Sequence, residues 1–393
     1  MQTILPFDTI VQIIDVVGET EDTNLLKELA LVSHSFHQIC SKHLFATVEL
    51  HDADRNVASS KKGFVKLLKS RPDVVKYVRK LTINIYNDDD MLSPFLRTIS
   101  HINCLTINAP NVGWNEINPS LTSALFHLMH LPTIDHIGLS YIRNFPVSSL
   151  IPSANLLRLD LFNIDPLEEE IVVQSETMPK IREFYTLHSP QMTTKLLHAT
   201  KQDGQPAFNF MDLRRLFTCL HSEDKQNIRY ITQNAKLLEK LHLTVGCGES
   251  LLGLRDILSP CTRTLKVFDL TVPIFFDEPL KGVCEELEAL AGNNILEALS
   301  FEIEVCAVYK EIDHALGSAM QNVEKVLVKP GWSALRQVSF KVPVVCCLPC
   351  LVQDSAGLSE ALQSLPDKYL SHLPKLESVA FNYSFYVIKC AMH

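Results

Sequence analysis

The chain has 393 residues, 46% of them apolar, and a formal net charge of −9. The apolar fraction is ample for a sizeable core and excludes wholesale disorder, while the negative charge excludes a general nucleic-acid binder, which needs a basic surface against phosphate. Eleven cysteines, an odd number at uneven spacing, point to reduced thiols in a cytoplasmic or nuclear protein.

The opening MQTILPFD lacks the basic region and apolar run of a secretory signal. From Leu5 onward the spacing predicts three short amphipathic helices. Pro6 sits near the first helix start, where its missing N–H does no harm. Ile10, Ile13, Ile14 and Val17 recur at i, i+3, i+4 and i+7 as one apolar stripe. Gly18 and the polar residues 19–24 end that helix and supply caps for the next. Leu25, Leu26 and Leu29 form the second apolar face. The third helix starts near Ser33, with Phe36, Ile39, Cys40 and Leu44 on one side. So small a module cannot bury this many apolar residues alone, since chains below about 40 residues rarely fold unaided. Part of this surface therefore meets a partner or the rest of the chain.

Residues 52–62 read as a linker of charged and small residues. Beyond them one pattern returns: an aliphatic residue, two others, an apolar residue, one other, and a last apolar residue. It begins at Val78, Ile102, Ile134, Leu156, Ile181, Leu213, Leu238, Leu265, Leu296, Leu335 and Leu376. That makes eleven copies at irregular intervals, and those at Ile181 and Leu213 end on Thr. The alternating end of each copy predicts a strand. Helix-like spacing lies between copies, as in Leu121/Leu125/Leu128, Val283/Leu287/Leu290 and Ile312/Leu316/Met320/Val323. Pro132, Pro330-Gly331, Pro366 and Pro374 mark joins. A unit of one strand and one helix, returning along the whole chain, points to an α/β repeat array. A doubly wound α/β sheet is the competing architecture.

Candidate chemistry is sparse. Residues 241–253 hold a strand and a Gly246-Cys-Gly248 turn, with Asp269 further on, a pattern suited to a dinucleotide or similar cofactor. The third glycine is wrongly spaced and every copy has such a turn, so no cofactor is expected. Cys346, Cys347 and Cys350 offer a Cys-x-x-Cys pair without a second pair, and read as thiols of an apolar strand. His127 and His130 lack a third ligand, so no metal is expected. Asp88, Asp89 and Asp90 read as a solvated loop. No serine elbow, kinase signature or phosphate loop is present, so no catalytic residue is assigned. Residues 342–352 are the most apolar run, interrupted by Pro343 and Pro349 and too short to span a bilayer. No membrane association is expected.

The N-terminal stretch resembles an F-box, in the F-box-like variant common in fungal proteins. The likeness lies in Leu5-Pro6, Asp8, the Ile10/Ile13/Ile14 set, Leu29-Ala30-Leu31-Val32, Phe36 and Leu44-Phe45. The longer turn at residues 18–24, and Phe36 where Trp is frequent, depart from the pattern. The copies that follow resemble leucine-rich repeats, L-x-x-L-x-L, though the Asn that normally follows is mostly absent. The resemblance implies a three-helix module over 1–50 and an irregular leucine-rich-repeat-like α/β solenoid, a horseshoe, over 51–393. It also implies a non-catalytic substrate receptor of a Skp–cullin–F-box ubiquitin ligase. Leu5, Pro6, Ile10, Ile13, Ile14, Leu31, Val32 and Phe36 would contact the Skp adaptor, and through it the cullin and RING subunits. In such an array the residues between the inward strand positions line a binding face. Here they include Arg158, Asp160, Phe162, Glu183, Tyr185, Arg215, Phe217, Lys240 and His242, a candidate surface for a protein client. The alternatives are an interaction scaffold whose first helices only cap the array, and a cofactor-binding enzyme using Gly246 and Gly248.

Overall fold

The computed structural model describes residues 6–20, 22–51, 60–86, 90–169, 172–173, 178–221, 223–246, 253–274, 280, 282–306, 312–346 and 355–389. The chain forms two compact units, Met1–Ile181 with Gln191–Asn209, and Arg182–Pro190 with Phe210–His393.

The first unit opens with helices α1 (Phe7–Glu19), α2 (Thr23–Ala30) and α3 (His34–Leu44). Asp22 caps α2 by accepting from the Leu25 N–H at 3.0 Å, and Ser33 caps α3 through Phe36 N–H at 3.3 Å. Gly18 lies inside α1 rather than ending it. A Cβ there would collide with the His43 ring, so the close approach of α1 and α3 requires glycine. Asp15 fastens the same crossing, 2.5 Å from Lys42 Nζ and 2.7 Å from His43 Nε2. Ile14, Leu26, Ala30 and Cys40 form a small core of their own, with Ile10, Val17, Leu29, Phe36, Ile39 and Leu44 packed against it.

The sheet of this unit begins earlier than the repeat pattern does, at β1 (Thr47–Leu50). Its Thr-Val-Glu-Leu alternates in burial like the other strands, but Phe45 stands where the copies carry their leading aliphatic. Helix α4 (Ser60–Ser70) claims the end of the expected linker, and residues 52–59 lie outside the described chain. There follow β2 (Lys80–Asn84), α5 (Ser93–Leu96), β3 (Cys104–Gly113), α6 (Pro119–Met129), β4 (His136–Arg143), β5 (Arg158–Phe162) and β6 (Val172–Val173). β7 (Glu183–Leu187) belongs to the second unit, and after it come α7 (Pro190–His198) and β8 (Thr200–Lys201). In the first unit β1 to β5 pair in chain order, every pair parallel. The short β6 and β8 pair apart from that sheet.

The second unit continues with β9 (Arg215–Leu220), α8 (Lys225–Asn234), β10 (Lys240–Val245), α9 (Leu254–Leu258), β11 (Val267–Ile274) and α10 (Val283–Leu290). It closes with β12 (Ala298–Cys306), α11 (Ile312–Leu327), β13 (Gln337–Cys346), α12 (Ser355–Tyr369) and β14 (Ala380–Lys389). Its sheet runs β7-β9-β10-β11-β12-β13-β14, again parallel at every step.

Ten of the eleven sequence copies become a strand at their third residue, and the last does so later, at Ala380. The leading aliphatic of those ten is buried in each, and so are the fourth and sixth positions, where Thr186 and Thr218 replace an aliphatic. A backbone ladder locks the register: the Asn103 carbonyl accepts from both Asp135 and His136, and the Glu239 carbonyl from Lys266 and Val267. Buried rows on α6, α10 and α11 complete the cores. A doubly wound sheet reverses its strand order and covers both faces. In each unit the order runs one way, and one face of the strands keeps half-buried and exposed side chains.

Candidate functional site

Two surfaces carry the residues singled out from the sequence. The first is the outer side of α1 to α3. Of the seventeen large apolar side chains exposed among the described residues, six fall within residues 7–32: Phe7, Ile13, Val16, Leu25, Leu31 and Val32. Leu31 is 86% exposed and Val32 64% exposed, in the turn between α2 and α3. Leaving a fully exposed side chain of this kind in water forgoes about 1.5–3 kcal/mol relative to burial, and the partly exposed ones forgo less. The concentration is therefore costly unless something covers it.

Among the expected adaptor contacts, Pro6, Ile13, Leu31 and Val32 are exposed. Ile14 is corrected: at 1% exposure it is the centre of the three-helix core and has no face left for a partner. Ile10 and Phe36 are partly buried against that core, so they shape the surface more than they form it. Leu5 lies outside the described residues. Phe7, Val16 and Leu25 share the exposed surface although the sequence reading does not single them out for it. The sequence stripe merged Ile13 with Ile10, Ile14 and Val17, whereas packing turns only the latter three inward.

The second surface is the open face of the strands, taken unit by unit. In the first unit, His136 pairs in register with Arg158 and Gly138 with Asp160. His136 Nε2 lies 2.8 Å from Asp160 Oδ2 and its Nδ1 lies 3.1 Å from Cys104 Sγ. Arg158 Nε donates to Asp160 at 3.0 Å. Burial alone would lower the His136 pKa, but the bonds to Asp160 and Cys104 outweigh it and hold it at about 9. Burial would raise the Asp160 pKa, but its bonds to His136 and Arg158 hold it below the usual carboxylate range. Phe162 meets Tyr141 edge-on at 4.9 Å.

In the second unit one register row reads Tyr185, Phe217, His242, Asp269, Ser300, Ser339 and Asn382. The Tyr185 and Phe217 rings stack at 5.6 Å, and those of Phe217 and His242 at 3.9 Å. Arg215 pairs with Glu183 at 3.2 Å, and Lys240 with Asp269 at 2.8 Å. A cavity of about 530 Å³ continues the row, lined by Lys240, His242, Asp269, Ser300, Ser339 and Asn382 among others. The structure thus gathers Tyr185, Arg215, Phe217, Lys240 and His242 on one face of this unit, with Arg158 and Phe162 on the open face of the other. Asp269, considered in the sequence only for a ribose, is held by His242 and Lys240, whose bonds lower its pKa against burial.

The remaining candidates recede. Gly246 donates to the Leu220 carbonyl and so extends the ladder instead of facing a ligand; Gly248 lies outside the described residues, as do Cys347, Cys350, Asp88 and Asp89. Asp90 opens a short 3-10 turn. His130 bonds the Ser149 carbonyl at 2.8 Å. No described helix is long and apolar enough to cross a membrane.

No protein-family model matches the chain, and no curated protein matches it. Among solved structures, a Bacteroides fragilis protein from a structural genomics consortium aligns at 11% identity with a TM-score of 0.31, covering 86% of this chain and 73% of its own. A TM-score that low carries no argument about fold or function.

Proposed function

We propose that the chain is a non-catalytic substrate receptor of a Skp–cullin–F-box type ubiquitin ligase. Helices α1 to α3 are its F-box-like module and dock onto the Skp adaptor. The strand and helix repeats are a leucine-rich-repeat-like solenoid whose open face binds a protein client. The observation carrying this reading is the cluster of exposed Phe7, Ile13, Val16, Leu25, Leu31 and Val32 on three helices that already have a core of their own. A helical cap that merely closed the sheet would turn such residues inward. The receptor works by proximity, holding the client near the loaded ubiquitin carrier and raising its effective concentration.

The test is co-purification of the full chain with the Skp adaptor. A stable complex is expected, lost in an Ile13→Asp/Leu31→Asp variant whose circular dichroism is unchanged. Both positions are exposed, so their loss reports docking and not unfolding. Failure of the folded wild-type chain to bind the adaptor overturns the ligase reading and leaves an interaction scaffold.

A further inference from the structure

We propose that the second unit carries a binding site for one borderline-soft divalent metal ion of the zinc class, held by His188, Cys219 and His221. β7 and β9 are parallel neighbours in register, with Thr186 opposite Thr218. Cys219 is the penultimate residue of β9, His221 follows the strand, and His188 follows β7. The ends of two adjacent strands therefore deliver all three.

Each residue offers one donor atom, and the three donors lie within 4.8 Å of one another. Cys219 Sγ is 3.1 Å from His221 Nε2, and the rings of His188 and His221 are 5.5 Å apart. Tetrahedral zinc, with bonds of about 2.3 Å to sulfur and about 2.1 Å to nitrogen, places its donors roughly 3.3–3.6 Å from one another. The cluster is already close to the size of that shell. A thiolate with two imidazoles selects zinc or a neighbouring transition metal over magnesium or calcium, which take oxygen ligands. Cys219 is buried, His221 half-buried and His188 exposed, so an ion enters from the His188 side.

A second feature points to the same place. Asp224 occupies the N-cap of α8, just after His221, yet its side chain caps nothing. It is 4% exposed, and its Oδ2 is buried without a hydrogen-bond partner among the described residues. Its amide donates to the His221 carbonyl at 3.0 Å. A buried carboxylate oxygen left without a partner is costly. A cation held on the nearby His221 would offset that cost electrostatically. His188 itself holds a φ of 53°, a left-handed conformation uncommon outside glycine and often retained where a site demands it.

The experiment uses the reduced full chain stripped with a chelator and titrated with Co²⁺, then Zn²⁺. Uptake of one Co²⁺ per chain is expected, with tetrahedral d–d bands and a thiolate charge-transfer band that Zn²⁺ displaces. Cys219→Ser should abolish that band. His188→Asn, at an exposed position where Asn tolerates the backbone, should weaken binding about tenfold or more while the far-ultraviolet spectrum stays native. Absence of stoichiometric Co²⁺ uptake, or a band unchanged in folded His188→Asn or Cys219→Ser, overturns the proposal.

Discussion

Pro366 lies inside α12, although its sequence context suggests a join between elements. Its ring nitrogen cannot donate to the Leu362 carbonyl one helical turn back. Tyr383 on β14 supplies the missing donor, its hydroxyl bonding that carbonyl at 2.8 Å. Burial raises the Tyr383 pKa, so the hydroxyl stays protonated and able to donate. Tyr383→Phe should cost about 1–2 kcal/mol in urea denaturation, because it strands a carbonyl that Pro366 has already deprived of its helical partner. Glu324 plays the opposite part. Its buried carboxylate accepts from the amides of His372 at 2.7 Å and Leu373 at 2.8 Å. Burial would raise its pKa, but these bonds lower it overall. Its contribution is thus present above the carboxylate's unfolded value and fades as pH falls through the lower folded one. His136 has the other sign. Its folded pKa of about 9 exceeds the ordinary 6.5, so its stabilisation is complete below that ordinary value and lost as pH rises through the folded one. Denaturation midpoints of wild type and His136→Gln measured across that window should converge as pH rises.

Among the elements, α1 separates two kinds of apolar residue that the sequence places on one stripe. Ile14→Asp buries a charge in the three-helix core and should cost about 3 kcal/mol or more, melting the module. Ile13→Asp sits in water and should leave thermal unfolding unchanged within about 0.5 kcal/mol. Equal effects from the two would contradict the packing described for α1. Gly18→Ala drives a methyl into the His43 ring. It should loosen the α1–α3 crossing even though alanine is the better helix former. The strands follow a simpler logic. Their alternation was legible because one face is buried and the other is not, and the period of two records that difference directly. β1 escaped because Phe45 stands where the other copies carry an aliphatic, and Pro366 misled because its compensating partner lies on β14.

For the whole molecule, strands added in one direction within each unit put like positions of successive copies side by side. Tyr185, Phe217 and His242, from three successive copies of the repeat, become a continuous aromatic stack, with Asp269 and Lys240 beside it. If this row is the client surface, Tyr185→Ala/Phe217→Ala should abolish client capture while leaving adaptor binding intact; loss of both would point to a general folding defect. The α/β class, the strand in each copy with its inward residues, and the three N-terminal helices could all be read before any coordinates. These features depend on local spacing, and local spacing survives in one dimension. Packing in three dimensions settled that Ile14 faces inward while Ile13, Leu31 and Val32 face water. The same packing brought His188 within reach of Cys219 and His221, which lie at the end of the next copy along the chain. Contacts between neighbouring strands depend on register across a turn and a helix, and no short stretch of sequence encodes that distance.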